Sequence, residues 1–202
     1  MIRFRQATLA DVDTVTDIES GSWPAALAAP RRAIVSRISV FAAGQWLAVR
    51  NRQIVGVAFA QRIRTDQLDT RPLSYARLTG DGTFQTTHAD EGAVYQLVGV
   101  GVRPEAQGFG AGRRLIDRQL EFARSLHGIE RIVGFTRPVG FHKYPNLSID
   151  EYVVRRSADG RIEDPVLSFH LDSGAQLVSV HPEFRSDDRD ARGWGVLIEY
   201  PV

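Results

Sequence analysis

AVYQLVGVGV (residues 93–102), RPEA (103–106) and QGFGAG (107–112) run without a break into a helical pattern that ends at Leu126. The apolar run reads as a strand, and the glycine-dense joint sits between it and the start of a helix. Gly108, Gly110 and Gly112 carry no Cβ, so backbone can approach a ligand there. The first-turn N–H groups and the positive helix end point the same way, toward a guest such as phosphate. A glycine string alone also fits a plain tight turn; its position between strand and helix favours the anion cradle.

Working outward, Ile2 and Phe4 alternate as a short strand, and Thr8 stands as an N-cap before a first helix that Gly21-Ser22-Trp23-Pro24 breaks. Ile34, Val35, Ile38 and Phe41 mark a second helix over Arg31 to Phe41, closed by Gly44. Trp46 to Val49 and Ile54 to Phe59 form an antiparallel hairpin whose second strand extends to Ile63. Residues 65–91 lack apolar periodicity and read as a long loop with one short element. Downstream of the glycine joint, Leu115, Ile116, Leu120, Ala123 and Leu126 share one helix face, stopped at Gly128. Then come a strand at Arg131 to Thr136, an irregular insertion over 137–160 with a helix near Ser148 to Arg155, and a helix from Pro165 to Leu171. Strands at Leu177 to Val180 and Val196 to Tyr200 finish the chain. The order β-α-α-β-β-β-α-β-α-β-β predicts an α+β fold with a mixed sheet.

Composition sets outer limits. The chain has 202 residues, 43% of them apolar, consistent with one domain over 1–202 with insertions at about 65–91 and 137–160. Lys and Arg number 25 against 24 Asp and Glu, so no global field attracts nucleic acid or an anionic membrane, and any anion site is local. The absence of cysteine rules out a thiolate nucleophile or metal site. His88, His127, His142 and His181 follow no ligand spacing, and no metal is expected. Neither a signal peptide nor a membrane-spanning run is visible, and a cytoplasmic location is expected.

The strand, the QGFGAG joint and the helix resemble the Gcn5-related N-acetyltransferase (GNAT) superfamily, whose phosphate loop reads Arg/Gln-Gly-x-Gly-x-Gly/Ala. The resemblance implies a mixed, mostly antiparallel seven-stranded sheet with a central splay, flanked by helices. It also implies a coenzyme A thioester: pyrophosphate on the backbone of Gln107, Gly108, Phe109, Gly110, Ala111 and Gly112, and pantetheine along Val98, Val100 and Val102. Many members carry a tyrosine on the short fourth helix that protonates the leaving thiolate; here Phe169-His170-Leu171-Asp172-Ser173-Gly174 puts His170 in its place. An imidazole there is suited to binding an anion, stabilising an oxyanion or delivering a proton.

A narrower likeness lies in the C-terminal third. Asp164-Pro165-Val166-Leu167-Ser168-Phe169-His170, Pro182-Glu183-Phe184-Arg185 and Gly193-Trp194-Gly195-Val196-Leu197-Ile198-Glu199-Tyr200, with Ser22-Trp23-Pro24, Gln61-Arg62-Ile63 and Gly134-Phe135-Thr136-Arg137, resemble the GNAT-like domains of polyketide synthase loading modules of the curacin A type. A group of GNAT domains fused to nitrilase-like enzymes shares the Asp-Pro-Val-Leu segment. The loading-module resemblance implies decarboxylation of malonyl- or methylmalonyl-CoA, or the same acyl group on an acyl carrier protein, with Thr136 and His170 as the decarboxylation pair. Trp23 would wall the acyl pocket. Arg185 has two readings, a partner for the acyl carboxylate or for a carrier-arm phosphate, and the second is preferred because a strong ion pair would stabilise the ground state. Ordinary acyl transfer to an amine or thiol, and a non-catalytic module that binds CoA or a carrier arm, are the competing functions.

Overall fold

A computed structural model describes residues 1–202. The strands are β1 (Ile2–Gln6), β2 (Gln45–Arg50), β3 (Gln53–Ile63), β4 (Val94–Val102), β5 (Arg131–Thr136), β6 (Gln176–His181) and β7 (Gly195–Tyr200). They form one seven-stranded sheet in the order β1-β2-β3-β4-β5-β7-β6, with every neighbouring pair antiparallel except the parallel β4 and β5. This is the GNAT fold anticipated from the sequence.

The sheet is continuous everywhere but at its centre. β4 and β5 pair only from Val94 opposite Arg131 to Leu97 opposite Gly134. In the β3–β4 ladder Phe59 faces Gly99 and Ala60 faces Leu97, which leaves Val98 as an extra, unpaired residue. Such a bulge bends and twists its strand. It falls on the first residue after the β5 pairing stops, so the two strands part there and open a splay.

Seven helices flank the sheet: α1 (Val12–Ser22), α2 (Arg31–Phe41), α3 (Asp66–Asp69), α4 (Tyr75–Thr79), α5 (Ala111–Ser125), α6 (Ile149–Val153) and α7 (Pro165–Asp172). On one face Val15, Ile18, Ile34 and Ile38 of α1 and α2 pack on Leu47, Val57 and Phe59. On the other, Ile116, Leu120 and Ala123 of α5 pack with Tyr95, Leu97 and Ile198. Gln119 is buried on that same α5 face, where it accepts from the Tyr95 hydroxyl and donates to the Gly44 carbonyl at 2.9 Å. Thr8 does not accept as an N-cap for α1: a 3-10 turn at Leu9–Asp11 intervenes, and its N–H and hydroxyl donate to the Asp11 carboxylate at 2.9 and 2.8 Å.

Residues 65–91 hold two short helices, α3 and α4, where one short element was expected. Leu68, Leu73 and Leu78 anchor them into a core cluster with Ile63, Val133 and Phe184. Their spacing of five residues matches neither helix nor strand period, so the segment looks unstructured when read locally. In 137–160 the helix stands near where it was expected, capped by Ser148, whose Oγ accepts from the Glu151 N–H.

α7 is held at its start by one carboxylate. Asp164, wholly buried, accepts through Oδ1 from Val166 N–H and Leu167 N–H at 3.1 and 3.0 Å, and through Oδ2 from Gly140 N–H and the Tyr152 hydroxyl at 2.9 Å each. Asp164 thus caps the helix and ties it to the 137–160 insertion. Removing it strands four donors, three of them backbone. Asp164→Ala is expected to lower stability by about 3 kcal/mol in urea unfolding.

Candidate active site

The splay opens into a cleft of about 690 Å³. Trp23, Val98, Val100, Val102, Gln107, Gly108, Gly110, Ala111, Gly112, Thr136 and His170 all line it. Of the residues singled out from the sequence, Arg185 and the Phe109 side chain do not. Phe109 is exposed and lies under the Arg50 guanidinium, 4.1 Å from its ring centroid.

The phosphate end is built from backbone. Gly108 and Gly110 adopt φ of 78° and 74°, a left-handed conformation that glycine enters without steric cost. The N–H groups of Gly108 to Arg113 donate to no protein acceptor, and the first helical bond from this region is Arg114 N–H to the Gly110 carbonyl at 3.1 Å. Six consecutive free donors at the start of a 15-residue helix form the environment a pyrophosphate needs. The coenzyme A end of a thioester therefore fits here. Along β4, the edge released by β5 beyond Leu97 faces the cleft with backbone groups that a pantetheine arm can pair.

His170 stands on α7, half-buried. Its Nδ1 lies 2.7 Å from the hydroxyl of Tyr200, at the end of β7. Tyr200 is almost fully buried and has no other hydrogen-bond partner, so its hydroxyl is satisfied as a donor only when Nδ1 is the acceptor. The ring proton then resides on Nε2, which makes no bond to protein. Burial pulls the imidazole pKa down to about 4 and raises that of Tyr200. At neutral pH the ring is an uncharged donor, not an imidazolium.

Thr136 ends β5 and is 3% exposed; its Oγ1 is buried with no partner. The same holds for Nε1 of Trp23, the residue that ends α1. Both residues also line a second, much smaller chamber of about 30 Å³ beyond the cleft, with Gln96, Phe135, Arg137 and Arg185. Arg185 thus sits on the inner chamber and not beside the cleft, which differs from the carrier-arm placement preferred on sequence. Its guanidinium lies 4.1 Å from the Tyr75 ring centroid and donates to the Leu27 carbonyl. Arg137 is likewise committed, making a two-pronged pair with Asp188.

Sequence reading missed Tyr200, Gln96, Tyr75 and Arg137 as site residues. Gln96 and Gln61 did carry a signal, as lone amides inside apolar strand runs. Phe135 lines cleft and chamber and stacks on Phe184 at 4.2 Å, whereas Phe141 and Tyr152 are core.

The model of the acetyltransferase (GNAT) family matches residues 12–143. Among solved structures, the loading GNATL domain of CurA from Lyngbya majuscula superposes with a TM-score of 0.88 at 27% identity, covering 99% of this chain and 97% of that one. The GphF GNAT-like decarboxylase in complex with isobutyryl-CoA superposes with a TM-score of 0.85 at 31% identity, covering 98% of each. Among curated sequences, the probable hydrolase YhcX of Bacillus subtilis is 28% identical over 190 residues, 94% of this chain but 36% of that protein. The chain therefore spans about a third of that relative's length. No helix is long and apolar enough to cross a membrane.

The depressed His170 value has a measurable sign. An unfolded imidazole titrates at about 6.5, so between there and about 4 the unfolded state binds the proton and the folded state does not. Stability contributed by the neutral ring is complete above that window and falls as pH drops through it, by about 2 kcal/mol between pH 7 and pH 4.5. Urea unfolding at the two pH values is expected to show this limb in wild type and a limb smaller by about that amount in His170→Gln, with the buried His88 and His181 supplying what remains.

Proposed function

This chain belongs to the acetyltransferase (GNAT) family and is an acyl-CoA-utilising enzyme, and from that premise we propose that it decarboxylates a malonyl or methylmalonyl thioester, carried by CoA or by an acyl carrier protein, to start a polyketide chain. The observation that carries this reading is the pairing of a neutral His170 with an unpartnered Thr136 hydroxyl on one cleft. Similarity across almost the whole chain to the CurA loading domain and the GphF decarboxylase supports it.

The reaction breaks the bond between the α-carbon and the carboxylate, releases CO₂ and leaves the electron pair as an enolate on the thioester oxygen. The barrier falls if donors meet that growing charge in a site closed to water. Thr136 Oγ–H and His170 Nε2–H are uncharged donors of this kind, and they lose no energy to a competing protein acceptor. The enolate carbon then takes up one proton, supplied in net terms by solvent, to give the acetyl or propionyl thioester. Trp23 walls the acyl group at the boundary between cleft and chamber.

Amine acetylation fits the cleft less well. Deprotonating an ammonium calls for a base, and no Asp or Glu lines the cleft wall. His170, with its proton on the cleft side, offers a donor there and not an acceptor.

Mass spectrometry of malonyl-CoA and methylmalonyl-CoA incubated with the protein, with and without a carrier protein, tests the reading. CO₂ loss is expected in wild type, with turnover reduced about 100-fold or more in Thr136→Val and His170→Ala. Intact substrates with wild type would refute it, as would CoA release that depends on an amine acceptor.

A further inference from the structure

The inner chamber holds a third uncommitted donor. Gln61 on β3 lies opposite Gln96 on β4. The Thr87 hydroxyl donates to Gln61 Oε1 at 2.9 Å, and Gln61 Nε2 donates to the Leu78 carbonyl and to Gln96 Oε1 at 2.8 Å each. The Leu78 carbonyl can only accept, which fixes the Gln61 nitrogen on that side; Gln96 must then turn its oxygen toward Gln61. Its Nε2 is left without a partner, yet it is not sealed in packing, although the residue as a whole is 2% exposed. Gln96 lines the inner chamber, so the free amide opens on that space.

The chamber wall is thus rich in donors and poor in free acceptors. Gln96 Nε2, Thr136 Oγ1 and Trp23 Nε1 have no partner. Arg137 is paired with Asp188, whereas Arg185 donates one N–H to the Leu27 carbonyl, lies over the Tyr75 ring and has no carboxylate partner. Buried donors call for acceptors. A volume of about 30 Å³ admits a group the size of one or two waters. A carboxylate, an acceptor-only group of that size, matches such a wall.

We propose that this chamber is the subsite for the carboxylate of the acyl group, and that Gln96, aimed by Gln61 and Thr87, is one of its binding donors. The inference rests on the decarboxylation reading for its substrate. Gln96 Nε2 holds the carboxylate in register as an uncharged donor, and CO₂ forms on the chamber side of the boundary. The thioester stays in the outer cleft, and the bond that breaks lies across the boundary at Thr136.

A sulfonate isostere of malonyl-CoA, which has no CO₂ to lose, separates recognition from turnover. Calorimetric titration of Gln96→Met is expected to show at least a tenfold loss of affinity for the isostere, with acetyl-CoA bound within twofold of wild type. Gln96→Glu keeps the side-chain shape and the acceptor for Gln61 but faces the chamber with an oxygen; the same split is expected, and this variant carries the test if Gln96→Met does not fold. Equal losses for both ligands, or no loss for the isostere, overturn the subsite. A wild-type protein that decarboxylates malonyl-CoA with Gln96→Met unimpaired would leave the reaction standing and remove the subsite. One that binds the isostere through Gln96 but releases no CO₂ would do the reverse.

Discussion

The separation of β4 from β5 after four residue pairs is the constraint on which the remaining structure depends. A strand in the middle of a sheet ordinarily has both edges paired, because a buried peptide group without a partner costs free energy. Here β4 keeps its partner β3 throughout, while β5 turns to β7. The bulge at Val98 makes the divergence geometric, not a matter of fraying. On one side Trp23 packs against Gly99, where an added Cβ would sit 3.6 Å from the indole; on the other α7 closes the opening with Phe169 and His170. The gap therefore has fixed walls, and its unpaired backbone is the part of the sheet left for an amide-bearing ligand to complete.

Charge is handled differently at the two ends of this gap. At the α5 start, six free N–H groups and a helix end meet an anion with partial charges that belong to backbone, open to solvent. At the far end stand an imidazole held uncharged by burial, a hydroxyl and an indole without partners, Arg137 paired with Asp188 and Arg185 donating to the Leu27 carbonyl. Phosphates gain from the first environment because they stay ionised throughout. A reaction that moves charge from a carboxylate to a thioester oxygen gains from the second, since donors that are not already engaged need no reorganisation as the charge arrives.

Those features that rest on local chemistry were legible in the sequence. The glycine joint, the strand runs and the α5 face all follow from residue type and spacing, and the mixed seven-stranded sheet with its splay followed from the family they resembled. His170 and Thr136 were found by position within that pattern, and both face the cleft. What could not be read were pairings between distant residues. Tyr200 stands 30 positions from His170, and Gln61 stands 35 from Gln96. Leu68, Leu73 and Leu78 obey no period because each answers to a different neighbour in the core. Arg185 was read as a partner for a carrier-arm phosphate in preference to the acyl carboxylate, and the fold sets it on the inner chamber against Tyr75, a residue of the very segment that looked like loop.

The same logic unites these missed pairings. In each, a hydrogen bond made within the protein decides which atom is left over. Tyr200 occupies Nδ1 of His170, so Nε2 carries the proton to the cleft; Gln61 occupies the oxygen of Gln96, so the amide nitrogen is free; Asp188 takes two N–H groups of Arg137, so that charge is matched. An isolated histidine or glutamine offers donor and acceptor alike, and its sequence position cannot say which. Only the interior network removes that ambiguity, and here it does so with one sign: the His170 Nε2, the Gln96 amide nitrogen and the Trp23 indole left over where cleft and chamber meet are all donors. That uniformity is what a guest gaining negative charge requires, and it is a property of the second layer of residues, Tyr200, Gln61, Thr87 and Asp188, more than of the first.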